Sequence, residues 1–136
     1  DTSYVTNMED MFGLCASLTS VPLFDTSNVT NMKYMFYFCS SLTSVPLFDT
    51  SNVTDMRQMF YFCSSLTLVT LFDTSKCTDM DNMFQNCSNV VSGALALYQQ
   101  ASTQTIVPSD EYTFYNCGAN TVTGAAELAQ IPDDWK

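Results

Sequence analysis

The chain repeats itself every 24 residues, and that period limits the possible folds more than any other feature. Asp1–Phe24 reads DTSYVTNMEDMFGLCASLTSVPLF, Asp25–Phe48 reads DTSNVTNMKYMFYFCSSLTSVPLF, and Asp49–Phe72 reads DTSNVTDMRQMFYFCSSLTLVTLF. The fourth unit, Asp73–Ala96, keeps the first half of the pattern and loses the second. One unit of this length cannot enclose a core alone. The units must therefore stack, which places equivalent side chains about 5 Å apart along the stack.

Two patterns lie inside each unit. Leu42, Val45 and Leu47, like Leu18, Val21, Leu23 and Leu66, Val69, Leu71, follow LxxVxL, whose last part alternates as a strand with one buried face does. Val53, Met56, Met59, Phe60 and Cys63 form the stripe expected of a helix or two short helical turns, behind the capping types Asp49, Thr50, Ser51 and Asn52. That half reads as helical or irregular, and the segment Asn52–Asp55 is alternatively a second short strand. Further on, Phe114-Tyr115-Asn116-Cys117 echoes Phe84-Gln85-Asn86-Cys87 at a spacing of 30, so a fifth coil carries an insertion. The strings ALALYQQA and AAELAQ predict two helices, the second stopped by Pro132, with Trp135 packed over the last coil as a cap. The expected architecture is an α/β repeat solenoid in one domain: four repeats over 1–96, then a divergent fifth coil and helical cap over 97–136. No cap is visible before Asp1, which opens a unit without an initiator methionine. That suggests a processed product or a piece of something longer, with further repeats or another chain at the N-terminal edge.

The string FDTSNVTNMxxMFxxCSSLTSVPLFDTSNVT, which recurs between Phe24 and Thr78, resembles the BspA-like leucine-rich-repeat proteins over roughly the first 92 residues. The resemblance implies a right-handed leucine-rich-repeat-like coil, in which the two patterns would form one parallel sheet of short strands and short helical turns opposite. It further implies a place outside the cell, at a bacterial surface or on a phage or secreted particle, and adhesion to a protein or glycan of a host or neighbouring cell. It supplies no catalytic residues.

Composition excludes several functions. The chain has no histidine, which removes Ser-His-Asp and Cys-His catalysis and the ordinary zinc sites, so an enzyme is not expected. Fourteen acidic residues against four basic ones give a net charge of −10, which repels phosphate backbones and argues against nucleic acid. No apolar run approaches the roughly 20 residues that cross a bilayer, so membrane insertion is not expected either.

Stacking turns each fixed position into a ladder. Cys15, Cys39, Cys63 and Cys87 fall on one register and should point inward, while Cys77 replaces the valine of Val5, Val29 and Val53. Buried free thiols are expected, with one or more disulfides or a metal as alternatives, since parallel Cβ vectors suit disulfides poorly. Asp1, Asp25, Asp49 and Asp73 would repel one another. Backbone N–H groups from the Ser and Asn two and three residues on would compensate; calcium is the alternative, and no other cofactor is expected. Phe24, Phe48 and Phe72 read as core in preference to an exposed sugar platform.

Positions that vary between units mark the candidate binding surface. These rows place Tyr34, Arg57, Tyr37, Phe38, Tyr61 and Phe62 along one flank, with Phe38 and Phe62 equally readable as core. A rival surface carries Thr19, Ser20, Pro22, Thr43, Ser44, Pro46, Thr67, Leu68 and Thr70. The competing class is structural, a stalk or terminal segment of a longer repeat protein.

Overall fold

The DTS blocks do lie over one another. A computed structural model describes residues 1–136, and in it parallel pairing joins Asn7 to Asn31, Asn31 to Asp55, Asp55 to Asp79 and Asp79 to Ser109. Five coils thus stand in register, the last step lengthened by the insertion.

This pairing sits on the Asn-Met and Asp-Met junctions, close to the alternative strand in Asn52–Asp55, at one residue in each coil; a further isolated parallel bridge joins Leu68 to Ser92. The LTSVPLF segments are not a sheet. Thr43 N donates to Thr19 O and Thr67 N to Thr43 O, both at 3.2 Å, and only one backbone–backbone bond links each of these neighbours on that side. Pro22 and Pro46 interrupt the segments with residues that have no N–H to give. The inward spacing also differs from a strand's. Leu42, Leu66, Val69, Phe48 and Phe72 are buried, whereas Leu23, Leu47 and Leu71 are 66%, 63% and 50% exposed.

The expected helical turns are absent too. Met11 N donates to Met8 O, Gly13 N to Asp10 O and Cys15 N to Phe12 O, so three overlapping four-residue turns follow one another. The intervening N–H groups leave the coil: Met8, Asp10, Phe12 and Leu14 donate to Asn31, Lys33, Met35 and Tyr37 at 2.6–3.0 Å. Later coils repeat the scheme. It depends on positive φ at Asp10 and Leu14, Tyr34 and Phe38, Gln58 and Phe62, Asn82 and Asn86, and Tyr112 and Asn116, all between 52° and 62°. A left-handed residue reverses the winding sense after a turn, so the run advances as a flat ribbon instead of closing into a helix. Each bulky residue held there costs about 1–2 kcal/mol, which bonds to the next coil must offset.

The predicted stripe is nonetheless the core, because overlapping turns present their side chains at nearly the same intervals as a helix. Val53, Met56, Met59, Phe60 and Cys63 are all fully buried. Phe12, Phe36, Phe60, Phe84 and Phe114 stack face to face at 5.0–6.0 Å, and Phe24, Phe48 and Phe72 lie beside them, which settles that column as packing. A buried threonine ladder ties the corners: Thr26 Oγ1 donates to Asp49 O and Thr50 Oγ1 to Asp73 O.

Helix α1, Ala94–Thr103, contains the insertion, and Gln104 takes over the ladder by accepting the Thr74 hydroxyl at 2.8 Å. Helix α2, Val122–Leu128, starts at Thr121, whose Oγ1 accepts the Gly124 N–H. It ends before Pro132 can act; that proline instead opens a 3-10 turn at Asp133–Trp135. Trp135 stacks on Phe114 at 6.2 Å and meets Tyr98 of α1 edge-on, continuing the phenylalanine column by one ring. Glu127 of α2 accepts the N–H groups of Gly93 and Leu95, placing a carboxylate at the positive end of α1.

Candidate binding surface

The outward rows of the turn ribbon form one continuous aromatic flank. Tyr37 stacks on Tyr61 at 5.4 Å and Phe38 on Phe62 at 4.8 Å, nearly parallel in both cases. Tyr37 also meets Phe38 edge-on at 4.7 Å, Tyr61 meets Phe62 at 4.8 Å, and Tyr34 closes the cluster against Tyr37 at 5.5 Å. All five rings are half-buried, so Phe38 and Phe62 belong neither to the core nor to fully open surface.

Charges border the rings. Arg57 reaches Asp55 Oδ2 at 2.9 Å and brings Nε within 3.3 Å of Asp79 Oδ2, clamping the third coil to the fourth. The second contact is ionic without hydrogen-bond alignment, since Nε has no hydrogen-bond partner. Burial pushes the Asp79 carboxyl up from its ordinary value, against the pull of the guanidinium. In the second coil Lys33 lies over the Tyr34 ring at 4.6 Å and 3.9 Å from Glu9.

Tyr112 and Tyr115 extend this flank and escaped the sequence reading. Ser109 pairs with Asp79, which brings these tyrosines into register with Tyr34 and Tyr37; both are 47% exposed. The insertion hid them by breaking the period. Asn82, Gln85 and Asn86 separate them from the central rings.

The aspartate ladder is compensated locally. Asp25 Oδ1 accepts the N–H and hydroxyl of Ser27 at 3.1 and 2.7 Å, and Asp1 and Asp49 do the same with Ser3 and Ser51, while Asp73 takes the Ser75 N–H. The serine hydroxyl and then its N–H hold the carboxyls of Asp25, Asp49 and Asp73 below the usual range. The stabilising effect is therefore complete above the unfolded carboxyl's pKa of about 4 and fades as pH falls through the lower folded value. The asparagine one residue further does not join in; Asn28 and Asn52 donate instead to Ser3 O and Ser27 O of the preceding coil. A second ladder follows the same logic, with Asn31 and Asp55 accepting the N–H of Lys33 and Arg57.

All six cysteines are free thiols. Cys39, Cys63 and Cys87 each donate to a phenylalanine carbonyl of the preceding coil at 3.0–3.1 Å, whereas Cys15, in the first coil, is exposed. Burial raises the Cys39 thiol to about 11 and the Cys77 thiol to about 12, and pushes Cys63, Cys87 and Cys117 up as well. A thiol reagent at mildly alkaline pH should modify Cys15 alone in the folded chain and all six after unfolding without reductant. Fewer than six in the second count would reveal a disulfide.

Coils in register around one core, closed at one end by helices, define a repeat solenoid. The chain belongs to the family described as "Mycoplasma protein of unknown function, DUF285", whose profile matches residues 1–99, the repeats and most of α1. Among solved structures it is similar to the leucine-rich-repeat protein of T. pallidum, with 15% identity over 93% of this chain and 77% of that one and a TM-score of 0.44. No curated protein matches it. No helix is long and apolar enough to cross a membrane.

Proposed function

We propose that this protein is a non-enzymatic binding module, displayed at a bacterial surface or on a phage or secreted particle, that recognises a protein or glycan through the aromatic flank. The BspA-like motif supports the surface location. The observation that carries the reading is backbone strain. Tyr34, Phe38 and Phe62 sit at positive φ on this flank, while the fourth coil uses Asn82 and Asn86, residues that tolerate such a conformation. Rings are kept where asparagine would fold more easily, and strain of that kind clusters at functional sites. Screening the chain on glycan and protein arrays, alongside Tyr37→Ala/Tyr61→Ala, tests it. The double variant should lose roughly 30-fold or more in affinity for a true ligand, the effect of removing about 2 kcal/mol of interface anchoring. A ligand whose binding is untouched would place the site elsewhere.

The stalk reading has its own observation. At the first coil the carbonyls of Asn7, Glu9, Met11 and Gly13 accept no hydrogen bond, and Val5, Phe12, Leu18, Val21 and Phe24 are only partly covered. Adding a copy of Asp25–Phe48 ahead of Asp1 should raise Tm by several degrees, as extra interfaces do in repeat arrays. No gain would mean that the edge does not accept a coil.

A further inference from the structure

The tyrosine column on the flank is one ring short. Tyr61 stacks on Tyr37, and the register that runs Leu14 N–H onto Tyr37 O puts Gly13 next in line. A side chain at Gly13 would first meet the carboxylate of Asp10, which has swung into that place. Where the second unit has Tyr34 and Tyr37, the first has this acid and this glycine. The result is an open hollow of about 270 Å³ lined by Asp10, Leu14, Tyr34, Tyr37 and Gln58.

Charge singles out the occupant. Every lysine and arginine side chain of the chain already has a partner: Lys33 with Glu9, Arg57 with Asp55 and Asp79, Lys76 with the Asn52 amide oxygen at 2.7 Å, and Lys136 with Asp133. Asp10 is exposed and its carboxylate is engaged in no hydrogen bond or ion pair, in a chain of net charge −10. A cation from outside would find this carboxylate free.

We infer that the hollow is a slot for the guanidinium of an arginine presented by a partner protein. A guanidinium is flat, so it fits a gap one ring thick; it stacks on tyrosine, and its forked donors suit a carboxylate. Tyr37 offers the ring face, Asp10 the charge, the Gln58 amide oxygen a further acceptor, and Leu14 a rest for the aliphatic stem. A sugar could also stack on Tyr37 and donate hydroxyls to Asp10 but brings no opposite charge, and a lysine ammonium is not planar. The inference rests on the flank being the binding face and names what one part of it takes.

Titration of acetyl-Gly-Arg-Gly-amide into the ¹⁵N-labelled chain, followed by NMR, tests it. The amide signals of Asp10, Leu14, Tyr34, Tyr37 and Gln58 should move and saturate at millimolar peptide, and the citrulline analogue, flat but uncharged, should bind about 10-fold more weakly. Asp10→Asn should weaken arginine binding by a similar factor, roughly 10-fold. The double variant D10Y/G13Y copies the second unit, so it is expected to fold, and by completing the column it should abolish binding. Equal affinity for citrulline, binding that survives D10Y/G13Y, or the same signals moved by N-acetylglucosamine and not by the peptide would each overturn the inference. An array ligand that is lost with Tyr37→Ala/Tyr61→Ala but indifferent to Asp10→Asn would leave the flank standing and remove only the slot.

Discussion

Phe60→Ala is expected to destabilise the whole stack by about 3–5 kcal/mol, the range for emptying a buried aromatic site. Phe60 is fully buried and touches three other rings, Phe36 at 5.4 Å, Phe84 at 5.0 Å and Phe72 at 6.0 Å. Neighbouring coils cannot collapse into the space, because hydrogen bonds between ribbons on both sides set their separation: Phe36 N donates to Met59 O and Phe60 N to Met83 O. In a stack whose parts contact only their neighbours, a defect in the third coil also uncouples the coils on either side of it. Denaturant unfolding followed by far-ultraviolet circular dichroism measures the effect. A loss under about 1 kcal/mol would contradict a continuous, tightly packed column.

Gly93→Ala is expected to lose about 3 kcal/mol or more and to loosen the cap before the coils. Gly93 holds φ at 102° immediately before α1, a conformation that alanine resists, and an added Cβ would overlap the Val69 carbonyl, which is backbone and has little room to yield. Glu127 binds the N–H groups of Gly93 and Leu95, so displacing this residue also disturbs the contact between α1 and α2. Trp135, the chain's single tryptophan, packs against Tyr98 of α1 and reports on the cap by fluorescence. In the variant its transition should precede the one seen by circular dichroism. Coincident and unshifted transitions would show that Gly93 is dispensable there.

The period and the inward stripe were legible in the sequence because both follow from repetition and apolar character together: apolar residues identical in every unit, such as Met32, Met56 and Met80, are buried. The conformation between them was not. Helical turns and alternating-hand turns bring apolar residues to one side at similar intervals, and at the positions that separate the two possibilities the central units carry Tyr34, Phe38, Gln58 and Phe62, which give no hint of positive φ. The hint lay in the fourth unit, where the equivalent residues are Asn82 and Asn86. The leucines misled for a related reason. Leu47 lies two residues after Val45 and appears to share its face, but a chain interrupted by Pro46 and lacking ladder bonds need not alternate as a strand does. The flank was legible because its residues vary between units while the core does not. The same comparison contains the exchange of Tyr34 and Tyr37 for Asp10 and Gly13, but its meaning appears only when the units are stacked.

In each of the first four coils the turn ribbon sends four N–H groups to the next coil, and the second to fifth coils receive four on their other side. Such a stack has a direction, as a magnet does. The first coil ends in a fringe of oxygens, and the last is sealed by helices and an indole. Two copies brought together along this ribbon would set oxygen against oxygen there, whereas the Thr6 and Thr19 corners, whose bonds run the other way, would bring N–H groups to the same edge. A segment that continues the ribbon ahead of Asn7 must therefore offer hydrogens at every second residue, in the same orientation as the coils that follow.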